Sequence, residues 1–422
     1  MERFALDNGL RVVLSPDRTA PTVGIAVFYD VGFRSEPEGR TGFAHLFEHL
    51  MFQGSASLEK GEADRLIEGN GGIGNGSTHA DYTNYITQLP SNALELGLFL
   101  EADRMRAARL TEETLRNQID VVKEEIRVNV LNRPYGGFPW IDLPPIMFST
   151  YNNAHNGYGS FVDLESATTD DAADFFRRYY CPANAVLSVA GDLVVDEAKA
   201  LIERHFGDIP RRRPPARPDF SEPGPKGERR KATVDALAPL PAVAIGYRIP
   251  DPIGKLSEYL PVVVLGDILA GGEASRLYQR LVKRDRTATH AFGMVGTFGD
   301  PFDVRDPTML QLLAYLPPGT PLEAVLEGID DEIGELTRGV PREEVDRVVT
   351  GLASEWFRQL DNVLERAMVI GVLEQQRKRP ELVNELPALL TDVTPDAVAG
   401  AADAWLRGRA RAILEVVPGA GQ

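Results

Sequence analysis

The sequence predicts an α+β protein built from two homologous domains, each an antiparallel-rich sheet packed with helices. Three observations carry this. The chain has 422 residues, too many for one ordinary hydrophobic core. The run Pro210 to Lys231 is dense in proline and basic residues, with Arg211, Arg212 and Arg213 at one end and Lys226 to Arg230 near the other, which is linker composition. Beyond it the order of elements restarts, so a domain of about 200 residues is repeated. The expected division is 1–210, a linker over 211–231, and 232–422.

In the first half, Leu10 to Leu14 reads as a strand after the turn Asp7-Asn8-Gly9, and Thr22 to Tyr29 alternates as a second strand. These two are expected to pair antiparallel. Gly32 to Thr41 is polar and turn-rich, a loop that feeds a helix capped by Thr41 and ended by Gly54 and Ser55. A short amphipathic helix spans Glu59 to Glu68, and the alternation around Thr83 to Gln88 reads as a strand. Helices follow at Ser91 to Met105 and Thr111 to Val130. The second has a buried stripe of Leu115, Ile119, Val122, Ile126 and Val130. Asn132 to Gly159 is irregular, Thr168 to Tyr180 a helix, Ala185 to Ala190 a buried strand, and Asp196 to Phe206 a helix.

The second half opens with an alternating strand, Ala242 to Ile249, and an apolar helix, Tyr259 to Leu269, ending at Gly271 and Gly272. A strand at Met309 to Tyr315 precedes helices at Leu322 to Thr337, Arg342 to Gln359 and Asn362 to Gln376, and Leu414 to Val417 closes as a strand.

Hydrophobic content of 43% and charged content of 25% are ordinary for a globular protein. A net charge of −17 would repel a phosphate polymer, so no nucleic-acid partner is expected. It suits a solvated surface, or a cavity that favours cationic peptides. The single cysteine, Cys181, excludes an intramolecular disulfide. The opening residues hold no apolar signal core and no run approaches the ~20 apolar residues of a membrane span, so a cytoplasmic location without membrane attachment is expected.

The chemistry concentrates in Gly42 to Phe52. Phe43, Ala44, Leu46, Phe47, Leu50, Met51 and Phe52 would cover nearly every face of a helix, yet His45, Glu48 and His49 sit among them. Burying such groups without partners is costly. His45 and His49, at i and i+4, stack one turn apart and can grip one metal ion, with Glu48 placed to take a proton from a water. This is the inverted His-x-x-Glu-His pattern of zinc peptidases. The plainer alternative is a pair of hydrogen-bonded core histidines. The glycine-rich run Gly69 to Ser77 lacks both a G-x-G-x-x-G frame opening a helix and a Walker lysine, and reads as backbone lying open at the site. His79 and His155 fall in polar loops, and His205 and His290 have no constellation around them.

Several stretches together resemble the pitrilysin/insulinase family, especially its short bacterial and mitochondrial-processing-peptidase-like members. They are Tyr29 to Gly32, Gly39 to Ser55, Asp81 to Tyr85, Leu94 to Met105, Asp120 to Glu125, Asn132 to Gly136, Phe175 to Tyr180 through Gly191 and Asp192, and Ser275 to Leu281. The resemblance implies a clam-shell chamber of which this chain is one half, and one Zn2+ per chain. It supplies a third ligand 76 residues past the second His, a position held here by Glu125. Glu124 is the neighbouring alternative, and helix phase favours Glu125. It also implies that Glu48 is the catalytic base, and that Asn75, Gly76, Ser77 and Thr78 hold an extended peptide substrate by β-augmentation. A Glu carried by some relatives two turns before the third ligand is Gln118 here.

One departure matters. One-chain relatives carry an Arg and, seven residues later, a Tyr in the second half; those places fall on Val282 and Thr289. The resemblance therefore implies the metal-bearing subunit of a heterodimer whose homologous partner supplies the Arg/Tyr pair, with homodimer and monomer as alternatives. The expected activity is zinc metalloendopeptidase cleavage of peptides or leader segments in a closed chamber. The alternative is a catalytically silent structural or assembly subunit of the same fold.

Overall fold

The computed structural model describes residues 1–408 and 410–419, which fold around two mixed β-sheets. The first holds β1 (Glu2–Ala5), β2 (Arg11–Pro16), β3 (Thr22–Tyr29), β4 (Ile73–Thr78), β5 (Thr83–Pro90) and β6 (Ala185–Gly191), in the order β1-β2-β6-β3-β5-β4. The second holds β7 (Arg229–Asp235), β8 (Ala242–Arg248), β9 (His290–Val295), β10 (Met309–Tyr315) and β11 (Arg411–Pro418), in the order β7-β11-β8-β10-β9. β2 and β7 run parallel to β6 and β11, and the other pairings that correspond are antiparallel. Five strands of each sheet thus follow the same chain order and the same senses, the internal duplication that the sequence predicts.

The expected antiparallel pairing of the first two long strands is not what forms. β6 lies between β2 and β3, parallel to the former and antiparallel to the latter. Every residue of β6 is buried. A strand apolar on both faces belongs in the interior of a sheet, and here it displaces the local pairing.

Two compact units are interleaved along the chain. One comprises Met1–Glu124, Gly157–Asp219 and Trp356–Asn384; the other comprises Glu125–Asn156, Phe220–Glu355 and the chain from Glu385 onward. Each unit takes most of one expected half and one segment of the other. Residues 210–228 are without helix or strand, but β7 begins at Arg229, within the expected linker.

In the first unit the borrowed segment carries the helix Val363–Arg377, which covers one face of the sheet. Ala367 and Val372 pack with Ala26, Phe28, Val186 and Ala190. The approach is close enough to need glycine, since a Cβ at Gly371 would lie 2.3 Å from Phe28 Cε2. Glu374, near the end of this helix, has a fully buried side chain and pairs with Arg3 and Arg11, both at 3.0 Å. Because the two arginines are partly exposed and can rehydrate, Glu374→Ala is expected to cost about 1–3 kcal/mol rather than the full penalty of a stranded buried charge. An unchanged urea midpoint would show that this pair does not fasten the helix to the sheet.

In the second unit, Leu143, Ile146, Met147 and Phe148 of the segment borrowed from the first half pack with Ala242, Ala244, Met309, Leu313, Leu414 and Val416. The helix Leu256–Ala270 is buried around most of its circumference and is capped by Gly271, as its long apolar run predicts.

Candidate metal centre and catalytic site

The motif forms an eight-residue helix, α1 (Phe43–Leu50). Phe43, Ala44, Leu46, Phe47 and Leu50 are buried, and each of the four large side chains contributes about 1.5–3 kcal/mol by leaving water. Phe47 packs on Phe175 at 4.6 Å and Tyr180 at 5.5 Å between ring centroids, seating the helix near the face of the sheet that carries Tyr85. His45, Glu48 and His49 are the residues left half-buried within it, all on one side.

The helix starts differently from expectation. Its N-cap is Gly42, in the left-handed region, with no side-chain cap. The Glu36 carboxylate, fully buried, takes that role by accepting from Gly42 N at 2.9 Å and Ala44 N at 2.7 Å. Thr41 instead donates its hydroxyl to Asp163. α1 ends at Leu50, short of Gly54. The segment after it is held by Asp103, buried, which accepts from Ser55 Oγ at 2.6 Å, Ser57 N at 2.8 Å and Ser57 Oγ at 2.7 Å.

The Nε2 atoms of His45 and His49 are 3.3 Å apart, with the rings nearly perpendicular. A tetrahedral zinc with bonds of about 2.0–2.1 Å keeps its ligands about 3.3–3.4 Å apart, so the imidazole pair fits one ion. Glu125 stands in the last turn of the helix Glu112–Ile126, whose Leu115, Ile119, Val122 and Ile126 are buried. Glu124 is exposed and Glu125 half-buried. Among the described residues, His45, His49 and Glu125 form the cluster able to hold a metal ion, with one ligand atom from each all within 4.8 Å of one another. Tyr158 lies edge-on to His45 at 5.1 Å.

Glu48 faces β4. Its Oε2 accepts from Thr78 Oγ1 at 2.7 Å, and a Cβ at Gly76 would lie 3.2 Å from its Cγ and 3.1 Å from Phe52 Cε2. Phe52 is backed by the Arg104 guanidinium, 4.9 Å from its ring centre and 4.8 Å from that of Tyr85. Burial pushes the Tyr85 and Tyr180 phenols up, and the Glu48 charge adds to both, so these hydroxyls beneath the site stay protonated.

The other expected residues are placed as follows. Asn75 to Thr78 lie on β4, the last strand of its sheet. Gln118 is buried and donates to Asn117 Oδ1 at 2.8 Å. His79 stacks on Tyr82, and His155 on Tyr151. Val282 lies in the π-helical segment Tyr278–Arg284, and Thr289 is exposed beside β9, bonded to Tyr315 O. Sequence reasoning missed Glu36 and did not link Thr78 to Glu48. A helix opening on glycine, with no polar side chain at its cap, is the one local sign that a remote acceptor such as Glu36 is required.

Residues 11–134 match the family described as Insulinase (Peptidase family M16), and residues 166–352 match the Peptidase M16 inactive domain. The chain belongs to the insulinase (M16) peptidase family. The M16 inactive-domain match falls on a stretch without a His-x-x-Glu-His run. Zinc protease PqqE of Helicobacter pylori is 28% identical over 372 residues, covering 86% of this chain and 80% of that protein. The uncharacterized zinc protease YmxG of Bacillus subtilis is 26% identical over 405 residues, covering 92% of each. The crystal structure of a protease from Helicobacter pylori superimposes with a TM-score of 0.91 at 25% identity, covering 99% of each chain. Among the described residues, no helix of this M16 protein is long and apolar enough to cross a membrane.

Proposed function

We propose that this chain is a zinc metalloendopeptidase that cleaves peptides or leader segments. The observation that carries the reading is the set His45, His49 and Glu125 with Glu48 beside it. His45, His49 and Glu125 would hold one Zn2+, a three-ligand set that leaves a position for water or substrate. When bound, zinc would polarise the scissile carbonyl and acidify a water. Glu48 takes the proton of the attacking water and delivers it to the leaving amine nitrogen. The backbone of β4 over Asn75 to Thr78 holds the peptide extended, because an end strand offers its outer N–H and C=O groups for pairing.

The chain acts as the metal-bearing subunit of a heterodimer. Val282 offers no cation and Thr289 no phenol, so the Arg/Tyr pair that would hold substrate comes from a homologous partner. A reducing compartment, the cytoplasm, suits its single buried cysteine.

The test is metal analysis and peptide cleavage by the gently purified chain, alone and with a homologous partner bearing the Arg/Tyr pair. About one zinc per chain, weak cleavage alone and strong cleavage with the partner are expected. Less than ~0.5 zinc per chain would end the metal assignment and favour a silent structural subunit. Full activity from the single chain would end the heterodimer.

A further inference from the structure

Thr78 sits in the strand taken above as a peptide-binding edge, yet its side chain is engaged elsewhere. Its hydroxyl donates to Glu48 Oε2 at 2.7 Å, and its other acceptor within reach, Ala44 O, is at 3.5 Å, the outer limit of a hydrogen bond. A hydroxyl has one proton, and a charge-assisted bond at 2.7 Å is the stronger use of it. Gly76, two residues earlier and so on the same face of the strand, packs against Glu48 Cγ and Phe52. On the opposite face, Ser77 Oγ is shared between Asn84 Oδ1 and His79 Nε2. Of the four residues, Gly76 has no side chain, and those of Thr78 and Ser77 are bonded within the protein.

We propose that Thr78 is a positioning residue for Glu48 and not a side-chain contact to substrate. The inference rests on Glu48 being the general base. β4 then does two things at once. Its outer edge takes the peptide backbone, while its 76/78 face brackets the glutamate, with Gly76 against Cγ and the Thr78 hydroxyl on Oε2. Peptide and base are held by one strand, which sets the distance between them.

The test compares Thr78→Val, nearly isosteric but without the hydroxyl, with Thr78→Ser. Thr78→Val is expected to keep its zinc and to lower kcat by roughly 10- to 100-fold, the worth of a hydrogen bond to a charged group, with KM changed less than about threefold. Thr78→Ser should restore most of kcat. A second readout needs neither metal nor turnover. With 13C at the glutamate side-chain carboxyl, the Glu48 resonance of the zinc-free protein, identified by its loss in Glu48→Gln, should move in Thr78→Val and stay near its place in Thr78→Ser. An unmoved resonance, or a raised KM at constant kcat, overturns the proposal. A resonance that moves in Thr78→Val, while the wild-type protein fails to cleave peptides with zinc and partner present, would keep the contact and reject the peptidase reading.

Discussion

Glu48→Gln is expected to retain zinc and to lose peptide cleavage by roughly 10²–10⁴-fold, the range of a general base. The substitution is nearly isosteric. The amide oxygen still accepts from Thr78 Oγ1, so the side chain keeps its anchor on β4. His45 and His49 are untouched, and α1 keeps its apolar seat. What is lost is the basic oxygen that receives the water proton. Zinc content by atomic absorption and initial rates on an extended peptide, both with the partner subunit present, separate the two effects. Near-normal turnover would sink the assignment of Glu48 as base, whereas loss of both zinc and turnover would make it structural to the metal centre.

How much of this was legible in the chain depends on whether the causes are local. β3, β8 and β10 alternate or run apolar over seven or eight residues, and their spans were readable to within a residue. β1, β7 and β9 were not. The first is four residues long with two of them exposed, the second is charged and mostly exposed, and the third lies half-exposed at an edge, so none carries a strong apolar pattern. Strand order was also beyond reach. β6 inserts beside β2 from more than 170 residues away, and only tertiary burial selects it. The interleaving of the two units has the same origin, because a helix such as Val363–Arg377 does not reveal which of two similar sheets it will cover.

The site divides in the same way. His45, Glu48 and His49 are one helical turn apart, and their spacing alone marks them. Glu125 follows from no local pattern; the resemblance singled it out, and helix phase separated it from Glu124 because Glu125 lies beside the buried stripe, three residues after Val122. Glu36 and Thr78 act across gaps of several to thirty residues, through a backbone cap and a hydroxyl bond. Such contacts leave no periodic trace.

Glu125 is therefore the residue whose test has the most to decide. Glu125→Ala removes one of three proposed ligands, and its expected effect is a loss of zinc affinity on the order of 10²–10³-fold, about one ligand's share of a structural zinc binding energy. Cleavage should fall with occupancy and recover in part at high zinc. Glu124→Ala is the matched control. Its side chain is exposed one residue away on the same helix, so it changes net charge equally while leaving the cluster intact. Zinc titration against a competing chelator reads both. If the two variants weaken zinc alike, the effect is long-range charge and Glu125 is not a ligand. If Glu124→Ala alone loses zinc, the helix must turn by about 100° to bring the neighbouring carboxylate in, and the geometry described for the metal centre would be wrong.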